Sequence, residues 1–144
     1  MSYKFGKTSK ERLNTCHDDL RLIANIAIKR SQIDFGIAEG HRSVERQYDL
    51  YKAGLSKIDG VNKRGKHNYK PSLAFDIYAW VNDRSSYDQR YIIFIAGVIL
   101  AVAKELKEQG RIETELRWGG NWDGDGEIIT DQSFNDLVHF EIKT

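Results

Sequence analysis

Apolar positions recur at helical spacing between residues 9 and 29, where Leu13, Leu20, Ile23, Ala24 and Ala27 follow a Thr8/Glu11 capping-box pattern. The spacing predicts one helix over this stretch. Ile33 to Ile37 is short and β-prone. Beyond the Ala38-Glu39-Gly40 segment, Ser43 is placed to cap a helix over Val44 to Ala53, with Gly54 at its end. From Gly54 to Pro71 the chain is rich in Gly, Lys and Asn and lacks periodicity, which predicts a surface loop. Leu73 to Trp80 alternates, with Leu73, Phe75 and Ile77 on one face and Ala74, Asp76 and Tyr78 on the other, as a strand does. Tyr87 to Gln109 carries Ile92, Ile95, Ala96, Ile99, Val102, Ala103 and Leu106 at helical spacing, and Gly110 stops it. Glu113 to Trp118 reads as a strand and Gly119 to Gln132 as an acid- and glycine-rich loop. Leu137 to Ile142 is a final strand with Leu137, His139 and Glu141 on one face. The expected fold is α+β, one domain over residues 1–144, with helices packed on a small, largely antiparallel sheet.

A chain of 144 residues, 40% hydrophobic and 11% aromatic, has the composition to close one core and is far from that of a disordered segment. Its 22 basic and 21 acidic side chains leave a net charge of +1, which gives no global footprint for nucleic acid as a partner. The single cysteine, Cys16, excludes an internal disulfide framework and a cysteine-rich zinc site, so metal chemistry would fall to His, Asp and Glu. The longest apolar run, Ile92 to Ala103, is too short to span a bilayer, so no stable membrane insertion is expected. Met1 to Arg12 lacks the pattern of a secretory leader, which places the chain in the cytoplasm where it is made.

Among residues able to do chemistry, Asp76 stands out, because a carboxylate within Leu73 to Trp80 is costly to bury unless paired, hydrogen-bonded or metal-bound. His67 at the end of the polar loop and His139 in the last strand can converge with it into a three-ligand zinc set. Spacing leaves open the alternative that Asp76 faces solvent and the two histidines are ordinary polar residues. Asn121, Asp123, Asp125 and Gly126 match the first half of a calcium loop, but Gln132 stands where a bidentate Glu is expected. An irregular Ca2+ site and an acid-rich turn needing no metal are both compatible with that stretch.

Three segments together resemble a known family: Glu39-Gly40-His41-Arg42-Ser43 with Gln47; Lys66-His67 followed by Ser72 to Tyr78; and Asp136 to Glu141. They look like the D-alanyl-D-alanine carboxypeptidase and L-alanyl-D-glutamate endopeptidase family of zinc peptidases. The opening Tyr3-Lys4-Phe5-Gly6 and the length are similar to its single-domain phage endolysins. The resemblance implies the Hedgehog-like fold of zinc DD-peptidases, with zinc held by His67, Asp76 and His139. It implies Asp136 as general base and Arg42 as the cation that steadies the polarised carbonyl. In a continuous strand Asp136 and His139 would face opposite sides, so Asp136 is expected on the turn before the strand. Gly65 stands where many members have Ser, and two extra residues including Pro71 separate His67 from Asp76. His41, Tyr78 and Trp80 are candidates for substrate contact. The implied function is cleavage of a peptide bond in bacterial peptidoglycan, most simply L-alanyl-D-glutamate. Alternatives are D-alanyl-D-alanine carboxypeptidase activity and a non-catalytic wall-binding domain. Such a monomeric lysin would collect in the host cytoplasm and reach the wall after the membrane is permeabilised. The Lys57, Lys63, Arg64, Lys66 and Lys70 cluster near His67-Asn68 superficially suggests a nuclease, which the near-zero net charge disfavours.

Overall fold

The periodic stretch at residues 9–29 forms two helices rather than one. The computed structural model describes residues 2–144, and in it α1 (Lys7–Leu13) ends before α2 (Asp18–Arg30) begins. The break is held from outside the stretch. Ser72 N donates to Thr15 O at 2.9 Å, and His17 N donates to Ser72 O at 2.9 Å, so the connector pairs with the segment entering the second strand. His17 also caps α2, its Nδ1 accepting from Asp19 N at 3.0 Å. Apolar periodicity carried across the break because both helices bury Leu13, Leu20, Ile23, Ala24 and Ala27 in the same core.

The chain continues through β1 (Asp34–Glu39), α3 (Val44–Lys52), a single 3-10 turn (Lys66–Asn68), β2 (Ala74–Val81), β3 (Arg84–Ser86), α4 (Gln89–Glu108), β4 (Glu115–Gly119) and β5 (Asp136–Lys143). The strands form one antiparallel sheet in the order β1-β2-β5-β4, with β3 added to β2 as a hairpin. Asn82 and Asp83 make that hairpin turn, with φ of 54° and 60°, the left-handed conformation a two-residue turn requires. α4 lies across β2, β5 and β4 with α2 beside it. Ile92, Ile95, Ala96, Ile99 and Val102 of α4 and Phe75, Ile77, Phe140 and Ile142 of the sheet are buried together there. Phe75 and Phe140, register partners on β2 and β5, stack with centroids 5.4 Å apart.

One sheet face is therefore used up by the apolar core, and period-two alternation sends the intervening residues to the other face. Register places Glu39 of β1 beside Asp76 of β2, and Asp76 beside His139 of β5. In the next row outward, Glu141 of β5 lies between Ala74 of β2 and Arg117 of β4. A band of polar groups thus crosses the sheet on the face opposite the helices.

Candidate metal centre and cleft

His67 reaches this band from the 3-10 turn, which two short hydrogen-bonded links tie to the loop after β1. Arg42 N donates to His67 O at 2.8 Å, and Asn68 Nδ2 donates to Arg42 O at 3.0 Å. Asn68 Oδ1 accepts from Gly65 N at 2.8 Å, closing the turn. The longer connection from His67 to Asp76 therefore still delivers the imidazole to the sheet, passing through buried Ser72.

The three donors converge on one point. Asp76 Oδ1 lies 3.2 Å from His67 Nε2 and 2.9 Å from His139 Nδ1. One ligand atom from each residue falls within 4.8 Å of the others. The remaining ring nitrogens are already committed. His67 Nδ1 lies 2.7 Å from Gly40 O, which can only accept, so that nitrogen carries a proton. His139 Nε2 lies 2.9 Å from Glu141 Oε1, a carboxylate that favours a proton there as well. In the neutral imidazoles the two inward nitrogens are then lone pairs facing a carboxylate oxygen, an arrangement that demands a cation between them. Two imidazoles and one carboxylate, each ring anchored by an outer acceptor, fit a metal ion with an open position toward the cavity.

The same convergence of carboxylates on the imidazoles sets the direction in which these groups titrate. Burial opposes charge on His139, but Asp76 and Glu141 outweigh it and push the pKa up to about 9. Burial alone would raise the Asp76 carboxyl, yet the two imidazoles hold it well below the usual carboxylate range. Glu141 is likewise held low against the effect of burial, by His139 and by Arg117, whose Nη2 donates to Glu141 Oε2 at 2.7 Å.

The cluster forms the floor of a cavity of about 690 Å3 whose lining includes Arg42, Gln47, Trp122, Phe134 and Asp136. Asp136 is the first residue of β5 rather than part of a preceding turn. It reaches the same cavity as His139 because the β4–β5 register slips: Trp118 pairs with Phe140, but its neighbour Gly119 pairs with Asp136. The bulge cancels the alternation that a continuous strand would impose. It also needs glycine on the facing strand, since a Cβ at Gly119 would collide with the Asp136 carbonyl. Burial, and then the charge of Asp76, raise the Asp136 pKa.

Arg42 is fixed before any ligand arrives. Its Nε and Nη2 donate to the two Glu39 oxygens at 2.9 and 2.6 Å, and its Nη1 donates to Gln47 Oε1 at 3.0 Å. One N–H on each terminal nitrogen remains to donate into the cavity. His41 does not line this cavity; it borders an adjoining groove with Glu11, Arg12, Thr15 and Arg46. Tyr78 and Trp80 also lie outside the lining. Tyr78 packs over Gly36 of β1, and Trp80 sits opposite Ser85 in the hairpin, 43% exposed. Glu39, Gln47 and Glu141, which lie within the segments that carry the family resemblance, also line the cavity, as do Arg117, Trp122 and Phe134, which no motif marks. In the acid-rich loop, Asp123, Asp125 and Asp131 bring carboxylate oxygens together at the surface. Asn121 instead donates through Nδ2 to Asp125 O, and Gln132 turns away to bond Trp122 N and Gly119 O.

A donor triad beneath a cleft, with a carboxylate and a preset guanidinium on its walls, is equipped to polarise and hydrolyse a carbonyl compound. The sequence model of the phage L-alanyl-D-glutamate peptidases matches residues 1–143. The L-alanyl-D-glutamate peptidase of Escherichia phage T5 is 28% identical over 128 residues, covering 88% of this chain and 87% of the relative. The crystal structure of the Serratia marcescens L-Ala D-Glu endopeptidase ChiX superposes with a TM-score of 0.75 at 26% identity, over 97% of this chain and 90% of that one. The chain belongs to the phage L-alanyl-D-glutamate peptidase family and is a peptidase.

Proposed function

We propose that this chain is a zinc-dependent endopeptidase that cuts the L-alanyl-D-glutamate bond of bacterial peptidoglycan. The observation that carries the reading is the convergence of His67, Asp76 and His139 on the floor of a cavity that also presents Asp136 and Arg42. It is joined to a family match over nearly the whole chain. A zinc ion held by the three residues would supply Lewis-acid polarisation of the scissile carbonyl and of the attacking water.

The chain's own groups do the rest. Asp136, less acidic than an ordinary carboxyl, accepts the proton of the attacking water and returns it to the departing D-glutamyl amine. Arg42 donates its free N–H groups to the oxygen that gains charge, and because Glu39 and Gln47 already hold the guanidinium, no reorganisation is needed as that charge develops. Trp122 and Phe134, stacked at 6.3 Å, give one side of the cavity an aromatic lining. No helix among the described residues is long and apolar enough to cross a membrane. In this reading the chain acts on the cell wall after another agent has opened the membrane.

Mass spectrometry of purified peptidoglycan after digestion tests the bond assignment. New D-glutamyl amino termini are expected. Release of free D-alanine would reassign the chain to carboxypeptidase chemistry, and intact muropeptides would leave a wall-binding domain.

A further inference from the structure

The cavity has one wall of unusual charge. Lys57, Lys63, Arg64 and Lys66 line it from the segment between α3 and the 3-10 turn, and Arg46 joins them from α3. In a chain with 22 basic and 21 acidic residues this concentration is local. Most acids on the same lining are matched by partners on it: Glu39 by Arg42 and Arg46, Glu141 by Arg117, Asp76 by the two histidines, with Asp136 the exception. Three of the cations are also engaged. Arg46 Nε bonds Glu39, Arg64 bonds Asn68 O and lies over the Tyr69 ring, and Lys66 Nζ bonds Thr144 Oγ1. Lys57 and Lys63 have no ion pair or side-chain hydrogen bond among the described residues.

The loop that presents them is built, not slack. Buried Gln47 grips it from α3, with Nε2 donating to Ser56 Oγ at 2.9 Å and to Ile58 O at 2.7 Å. Asp59 Oδ1 accepts from the backbone N–H groups of Val61, Asn62 and Lys63. Gly60, at φ +80°, lies so close to Gln47 that a Cβ there would sit 2.9 Å from its Cγ. A glutamine that also holds Arg42 thus fixes the loop backbone from which Lys57 and Lys63, both on the cavity lining, project.

Resting on the endopeptidase reading above, the substrate carries a matching charge. A D-glutamyl residue has two carboxyl groups and only one can carry the chain onward. The other stays as a free carboxylate or its amide, a few bonds from the scissile nitrogen. We propose that Lys57 and Lys63 form an anion subsite for this free carboxylate and make the enzyme prefer acidic stem peptides over their amidated counterparts. The two forms share one shape and differ in charge, so discrimination between them is electrostatic.

Two synthetic peptides bearing the L-alanyl-D-glutamyl bond, one with the free carboxylate and one with the primary amide, test this. Wild type is expected to show kcat/KM about fivefold higher on the carboxylate, carried mainly by KM and shrinking as salt rises. In Lys57→Gln/Lys63→Gln the ratio falls toward one. Lys63→Glu inverts it, and Lys57→Arg/Lys63→Arg restores it. Thermal melts of each variant separate loss of the subsite from loss of the fold. Equal cleavage of both peptides by wild type, or a ratio that survives the double Gln substitution, overturns the subsite and leaves the peptidase reading intact. If the lysines serve only as general attraction to an anionic wall, salt alters binding to whole sacculi while the ratio stays at one. Failure of wild type to cleave either peptide overturns both readings.

Discussion

Glu141 lies two positions beyond His139 on the same face of β5, and its carboxylate takes the outer nitrogen of that imidazole at 2.9 Å. Its task is orientation: it fixes which nitrogen of His139 faces Asp76 and raises that nitrogen's basicity. Glu141→Gln keeps the shape and removes the charge, and with it the ion pair to Arg117. We expect zinc affinity, measured by competition with a chromophoric chelator, to fall roughly 10- to 100-fold in this variant. Unchanged affinity would show that His139 is oriented without its partner. At this scale the sequence was most informative about Asp76. A lone acid in an apolar strand signals a group that has to be matched, and its neighbour across the sheet supplies the match. Tyr78 and Trp80 gave no such signal, because aromatic side chains at a strand end serve a core or a rim equally well.

At the scale of elements, periodicity located the apolar faces accurately and their interruptions poorly. Helix α4 was legible because seven buried positions follow a single period before Gly110. The α1–α2 break was hidden because its cause, the pairing of Thr15 and His17 with Ser72, lies more than fifty residues away. Hairpin β2–β3 is not legible although Asn82-Asp83 is suitable turn chemistry, since Arg84–Ser86 is short, polar and exposed at two of its three positions. The α2 start has a second anchor that can be measured. Asp19 Oδ2 accepts from the Thr114 hydroxyl at 2.6 Å and from the Thr114 and Glu113 backbone N–H groups. Burial tends to raise the Asp19 pKa, but these hydrogen bonds outweigh it and lower the folded-state value. A depressed folded pKa stabilises the fold above the unfolded-state value and loses that contribution as pH falls through the folded one. Asp19→Asn should therefore lower the stability read from urea unfolding at pH 7, by up to about 1 kcal/mol for a partly exposed group, and converge with wild type as pH falls below the ordinary carboxylate range. A deficit that stays constant with pH would place the effect in packing instead.

For the whole molecule, fold class and the order of the main elements were readable from the pattern, apart from the α1–α2 break and β3, and strand neighbours were not. The order β1-β2-β5-β4 puts the last strand between two earlier ones, and only that placement sets His139 beside Asp76. The bulge that turns Asp136 into the cavity was equally out of reach, because it is a matter of register between β4 and β5 rather than of composition. Likewise the Lys-rich loop was visible as a loop, while its position against the cleft depends on the reach of Gln47. The assembled sheet therefore divides the labour: one face buries the helices, and the other holds the donor triad beneath a cleft. The central claim, that this triad holds the ion on which peptidoglycan cleavage depends, is tested most directly by metal analysis paired with activity. Purified wild type should carry about one zinc per chain, lose lytic activity on chelation and regain it with zinc. His139→Ala should retain the fold by circular dichroism but neither hold zinc nor recover activity. Full activity in chelated wild type, or zinc-restored activity in His139→Ala, would contradict the account.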